Sequence, residues 1–340
     1  MTVRASILFL VAVTIISCVL TGIIRLYAMK RLMDVANERS MHKSPTPRGG
    51  GGAIVLATIT ASCIAWKLGW MAQPLALSIT VGGLMVAGIG WMDDHGHVSS
   101  GLRAAIHFGA SIFALWQFGW LHEIDFGFYR APLGIFSNVI ALVIMVWFVN
   151  MYNFMDGIDG LAGSEAVFVG IGGGALLWMG GNSSMGIAAF IIGAASLGFL
   201  AWNWPPAKIF MGDVGSGFLG LMFAILLVGT ASEGKISFWL WFILIGVFLT
   251  DTSYTLIKRI RTGQKATEPH STHTFQKASK SVGSHLPVTL SAICINMLWL
   301  APIATICYYL PRLSVGLTFL AALPLFFLAR KYRAGVNETK

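Results

Sequence analysis

The stretch APLGIFSNVIALVIMVWFVNMYNFMDGIDG (Ala131–Gly160) decides the fold. Residues 132–150 carry no charge and are almost wholly apolar. A helix rises about 1.5 Å per residue, so about 20 such residues cross the hydrocarbon of a bilayer. The chain then turns polar at once, with Asn150, Asn153, Asp156 and Asp159 before Gly160. A carboxylate at the edge of lipid is costly and usually marks a site.

The same alternation runs the length of the chain. Apolar windows lie at residues 5–27, 52–68, 74–92, 104–121, 132–150, 164–180, 185–202, 217–232, 236–257, 286–308 and 313–329, eleven in all. Three more polar islands separate them: GWMDDHGH (Gly90–His97), NWPPAKIFMGDVGS (Asn203–Ser216) and EPHSTHTFQ (Glu268–Gln276). Of 340 residues, 56% are hydrophobic and 11% charged, where a soluble domain carries about 25% charged. The expected fold is all-α: a polytopic transmembrane bundle of about eleven spans, forming one integral-membrane domain over residues 1–340. The first window is too long for a signal-peptide core and no A-x-A-like site follows it, so it reads as a retained span.

Eleven spans place the two termini on opposite sides. The connections after spans one, three, five, seven and nine then share a face with the C-terminal tail. They cover about residues 28–51, 93–103, 150–163, 203–216 and 258–285. That face holds 18 of the 23 Lys and Arg residues, so the positive-inside rule makes it cytoplasmic and puts the N-terminus outside. All four polar islands fall on it. The net charge of +9 is therefore an orientation signal and not a nucleic-acid footprint. The four cysteines lie in apolar windows without C-x-x-C spacing and read as buried hydrophobes. Glycines at 170, 172–174, 193 and 198 read as close helix packing, and no P-loop pattern occurs.

The islands have a common chemistry. Asp93 and Asp94 are adjacent carboxylates, which repel and call for a divalent cation, a basic side chain or a proton nearby. Asp156 and Asp159 are three residues apart, one helical turn, and Asn153 beside them offers amide contacts to a sugar or base. Asp213 sits among glycines directly before an apolar window, where it serves equally as a helix cap or as an oxygen ligand. An oxygen-rich site of this kind suits Mg²⁺ or Mn²⁺. His270 and His273 lie in a basic loop, where they fit pyrophosphate contact better than zinc. Asp251 reads equally as a packed acid or a site acid, and His107, His122 and His285 read as solvated side chains.

In this order, DD, NFMDGIDGLAG, FMGDVGSGFLG and H-x-x-H resemble the polyprenyl-phosphate N-acetylhexosamine-1-phosphate transferases, a likeness that covers most of the chain from Ser40 to the histidine loop. The spacing His270-Ser271-Thr272-His273 and the segment PTPRGGG look most like the branch that initiates O-antigen. The peptidoglycan branch instead has three consecutive histidines, and its loop lysine has His42 or Lys43 as its nearest counterpart here. The resemblance implies Asp213 as principal Mg²⁺ ligand with Asp94 as companion, and Asp93 and Asp94 close to the reacting phosphates. It implies that Asp159 and Phe210 hold uracil, that Asn153 and Asp156 line the nucleotide pocket, and that His270 and His273 contact the sugar or pyrophosphate. The implied reaction is UDP-HexNAc plus undecaprenyl phosphate giving the pyrophosphoryl-linked sugar and UMP, in a bacterial inner membrane. A homodimer is the assembly the analogy suggests.

Three rival readings compete. The first is synthesis of the peptidoglycan lipid precursor, within the same family. A secondary transporter would share intramembrane acids and glycine breaks, but the acids here cluster at one face. A CDP-alcohol phosphatidyltransferase would need Ala-Arg shortly after Asp-Gly, which Asp156–Ala162 lacks.

Overall fold

A computed structural model describes residues 3–34, 45–265 and 270–336; His42, Lys43 and Glu268 lie outside them. The helices are α1 (Val3–Arg31), α2 (Gly51–Lys67), α3 (Gln73–His95), α4 (Ser100–Gln117), α5 (Ile135–Met155), α6 (Leu161–Met179), α7 (Ser183–Asn203) and α8 (Asp213–Glu233). They continue with α9 (Trp239–Leu244), α10 (Gly246–Arg261), α11 (Thr274–Val282), α12 (Leu286–Tyr309) and α13 (Pro311–Lys331). With α9 and α10 taken as one rod broken at Ile245, eleven rods occupy the eleven apolar windows. Among the described residues, eight are long and apolar enough to cross a bilayer. The others are α2, with 17 residues, α4, which carries Arg103 and His107, and the broken rod.

Hydrophobicity on all sides puts a helix in the interior. In α8 every residue from Val214 to Thr230 is buried, against α2, α3 and α5. Outside, α1 presents Ile7, Leu8, Val11 and Ile15, which have no protein cover. Glycine permits backbone contact between helices: a Cβ on Gly170 of α6 would stand 2.7 Å from the backbone nitrogen of Gly193 in α7. These spans are rich in glycine because their backbones touch, as the packing reading holds. The cysteines are unbridged.

Two-residue hairpins mark the two ends. Met33–Asp34 pairs antiparallel with Thr46–Pro47, in the register Met33 with Pro47. Ile124–Asp125 pairs with Arg130–Ala131 at the opposite end, where Asn182 also donates to Glu233 at 2.8 Å. The first hairpin lies with the start of α8, the ends of α3 and α5 and the histidine loop, so the loops after rods one, three, five, seven and nine meet at one end.

In α12 a π-helical turn spans Asn296–Leu300 ahead of Pro302. Proline lacks an N–H and its ring crowds the carbonyl four residues earlier, which the wider turn relieves.

Candidate active site

The site is built on the start of α8. Gly212, with φ +77°, turns the chain into the helix, and a Cβ there would meet Asp94 Oδ2 at 2.6 Å. The first N–H groups of a helix have no partner within it and attract anions. Here Asp94 supplies one: Oδ1 accepts from Asp213 N–H at 3.0 Å and Oδ2 from Val214 N–H at 3.1 Å. Arg48 also donates its Nε to Asp94 Oδ1 at 2.9 Å, with its terminal nitrogen on the same oxygen. The Asp94 side chain has no exposed surface.

Asp93 points elsewhere, because neighbours on a helix diverge by about 100°. It accepts from Val98 N–H at 2.8 Å, pairs with Arg103, and lies beside the Asp213 carboxylate, with Arg103 reaching both. Asp213 in turn accepts Asn153 Nδ2 at 3.0 Å, with Arg103 at 3.5 Å and Arg48 at 3.9 Å. Asn153 also donates to Ser216 at 3.0 Å. A cavity of about 100 Å³ opens here, lined by Asp213, Asn153, Asn150, Arg103 and His107.

Asp156 follows α5 as the residue that ends it. Burial, then the charges of Asp213 and Asp94, push its carboxyl up to about 7 against the pull of Arg48. Burial alone would lower the Arg48 guanidinium, but Asp94 and then Asp213 hold it above its ordinary value. Asp159 braces two neighbours: Oδ2 accepts Ala207 N–H at 3.0 Å, and its carbonyl accepts Thr289 Oγ1 at 2.8 Å. Its Oδ1 lies 3.2 Å from His285 Nδ1. Phe210 is pinned by backbone, its N–H donating to Pro47 O at 2.8 Å and its carbonyl accepting Gly50 N–H at 2.9 Å.

The histidine loop is held from below. Asp251 of α10 accepts Thr274 N–H at 2.9 Å and Phe275 N–H at 3.2 Å at the start of α11, and His273 Nδ1 lies 3.4 Å away. Asp251 is therefore the packed acid of its two readings, and it anchors the loop. His270 and His273 sit together, ring centroids 5.0 Å apart. Burial, then His273 and Arg259, bring the His270 imidazole down to about 4, so it is neutral at pH 7. Phe275 packs over Gly157, which joins this loop to the Asp156–Asp159 island.

The comparisons meet this geometry. The profile of glycosyl transferase family 4 matches residues 76–231. A probable undecaprenyl-phosphate N-acetylglucosaminyl 1-phosphate transferase of Bacillus subtilis is 30% identical over 278 residues, 80% of this chain and 76% of that protein. The chain belongs to the polyprenyl-phosphate N-acetylhexosamine-1-phosphate transferases. A decaprenyl-phosphate N-acetylglucosaminephosphotransferase of Mycobacterium tuberculosis is 31% identical over 85% of the chain and 78% of its own length. A phospho-N-acetylmuramoyl-pentapeptide-transferase of Streptococcus pyogenes is 30% identical over 69% of the chain and 74% of its own length. The protein is thus an enzyme of sugar-1-phosphate transfer to a polyprenyl phosphate in cell-envelope synthesis, and the transporter reading falls.

Within this transferase the site adds to or differs from the sequence expectations in three respects. The Asp94 carboxylate, expected as a metal ligand, also accepts on both oxygens from the start of α8 and on Oδ1 from Arg48. His285 is not a solvated side chain but lies against Asp159, and His107 lines the cavity beside Arg103. Arg48, Arg103 and Asn203 are additional site residues. The arginines are the basic partners that adjacent carboxylates require. Asn203 accepts Gly160 N–H at 3.0 Å and donates to Ile209 O at 2.9 Å, which ties two islands together.

The donor set fits a hard divalent cation. Asp93 and Asp213 bring two carboxylates into contact, an arrangement that needs a shared proton or a cation. Among the described residues no three His, Cys, Asp or Glu side chains close around a metal. Mg²⁺ suits such a site, since it commonly takes one or two carboxylates and completes its shell with substrate phosphates and water.

Proposed function

We propose that this enzyme transfers HexNAc 1-phosphate from a UDP-sugar to undecaprenyl phosphate at the cytoplasmic membrane face, with Mg²⁺, to begin O-antigen or a related envelope glycan. The observation that carries it is the contact of Asp93 with Asp213 beside Arg48, Arg103 and Asn153, brought together from five segments of the chain. The excess of Lys and Arg on the face that bears these segments supports the cytoplasmic assignment, with the N-terminus outside.

An oxygen of the lipid phosphate attacks the phosphorus that bears the sugar, and the bond from that phosphorus to the bridging oxygen breaks. UMP leaves carrying the bridging oxygen. Both reactants are anions, so charge neutralisation and alignment dominate the barrier. Asp213, with Asp93 adjacent, would hold Mg²⁺, which supplies a positive charge shared by the diphosphate oxygens. Arg48 and Arg103 flank the carboxylates, poised to turn toward phosphate as the negative charge redistributes. Asp94 keeps α8 in place. Asn153 orients Asp213, and Asp156, whose carboxyl feels the charges of Asp213 and Asp94, would line the nucleotide side of the site. Asp159 and Phe210 hold the island that would receive the uracil, and His270 and His273 close the site from the histidine loop as hydrogen-bonding groups.

The relative from Streptococcus pyogenes keeps the peptidoglycan precursor as a second substrate reading, against which the loop His270–His273 argues. The deciding experiment incubates the purified enzyme with undecaprenyl phosphate, Mg²⁺ and a panel of UDP-sugars that includes UDP-MurNAc-pentapeptide. Lipid-dependent UMP release with a UDP-HexNAc supports the proposal. Release with the pentapeptide alone would replace it with the peptidoglycan reading.

A further inference from the structure

Below the site, in the bundle interior, a carboxyl group serves no role in this mechanism. Glu165 lies one turn into α6 and is 1% exposed. Its Oε2 accepts Asn296 Nδ2 at 2.6 Å, and Asn296, also 1% exposed, opens the π turn of α12. Glu165 Oε1 and Asn296 Oδ1 are both buried without a partner. The hydroxyl of nearby Tyr152 is committed to Ala162 O at 2.8 Å. Two buried acceptors left without a donor beside one hydrogen bond are costly. A single proton removes both: an acid O–H at Oε1 donates to Asn296 Oδ1, closing a ring of two hydrogen bonds between acid and amide.

We propose that Glu165 is a neutral carboxylic acid and that its paired hydrogen bonds to Asn296 clamp α6 to α12, thereby positioning Asp159. The link to Asp159 is short. Asp159 and Gly160 lead directly into α6, and α12 begins at Leu286 with His285 and Thr289 against Asp159. The clamp thus holds the two helices from which the Asp159 island hangs. Glu165 and Asn296 are positioning residues, and their effect on substrate rests on the reading of Asp159 as a nucleotide contact.

Two readouts test this in lipid nanodiscs. The first is a wild-type minus E165Q infrared difference spectrum at neutral pH. A protonated-carboxyl C=O band is expected, and a carboxylate band in its place would overturn the proposal. The second is kinetic. Glutamine keeps both hydrogen bonds, an N–H replacing the acid O–H, so E165Q should hold the KM for UDP-sugar within about twofold, while E165A and N296A raise it at least about tenfold with a smaller effect on kcat. Equal losses in E165Q and E165A, or alanine variants that melt earlier with unchanged KM, would overturn the positioning role. The infrared band and the melting order of E165Q and E165A do not depend on turnover. They therefore test the clamp even if the proposed substrates prove wrong.

Discussion

The carboxylate of Asp94 accepts the backbone N–H groups of Asp213 and Val214, at 3.0 and 3.1 Å, so one member of the adjacent acid pair holds the helix that carries the other's partner. Asp93 reaches the Asp213 carboxylate instead. Two acids side by side in sequence thereby acquire separate tasks.

Their variants should separate accordingly. D93N is expected to lose transfer by about a hundredfold or more with little change in melting temperature. D94A leaves the N–H groups of Asp213 and Val214 without a partner, at about 1–3 kcal/mol each, and takes from Arg48 its nearest carboxylate, so it should lower the melting temperature by several degrees as well as activity. Transfer assays and thermal unfolding in detergent check both; equal melting temperatures in D93N and D94A would contradict the division.

Removing a guanidinium leaves the carboxylates less neutralised. R103A should lower the Mg²⁺ concentration needed for half-maximal rate while cutting the rate itself, and R103K should recover part of the rate, since lysine keeps the charge but not the planar fork. A Mg²⁺ titration of both variants reads this out.

The C-terminal residues strap the histidine loop. Lys277 Nζ donates to Arg333 O at 2.9 Å and to Val336 O at 2.7 Å, and Gly335 N–H donates to Thr272 O at 2.9 Å. Truncation after Lys331 should expose the loop to limited proteolysis and lower activity by roughly tenfold. An unchanged cleavage pattern would separate the tail from the loop.

The same loop should respond to acid. His270 is held neutral down to about 4 in the folded protein, whereas an unfolded imidazole protonates near 6.5. Between these values the unfolded loop binds more protons, so its stability is full above about 6.5 and declines as pH falls toward 4. Protease resistance followed from pH 7.5 to about 4.5 should show that decline, and H270Q should flatten it.

Length and hydropathy made the spans legible, because the bilayer sets a length for each apolar window. The glycine-rich window around Gly170 has the lowest hydropathy of the eight membrane-crossing helices among the described residues, and there backbone contact with Gly193 replaces side-chain bulk. The acids of the site are legible from their cost beside lipid. The arginines are not: Arg48 and Asp94 are 46 residues apart, and Arg103 and Asp213 are 110 apart. Their pairing exists only once loops between different helices meet. Nor does sequence distinguish Asp93 from Asp94, because their difference is the direction in which one helix turns each side chain.

The central claim, that Asp93 and Asp213 share a divalent cation with the diphosphate, is tested most directly by Mn²⁺ electron paramagnetic resonance on the purified enzyme with UDP. The account expects one bound Mn²⁺ per chain, a site weakened in D93N and lost in D213N. Undiminished Mn²⁺ binding in D213N would contradict it.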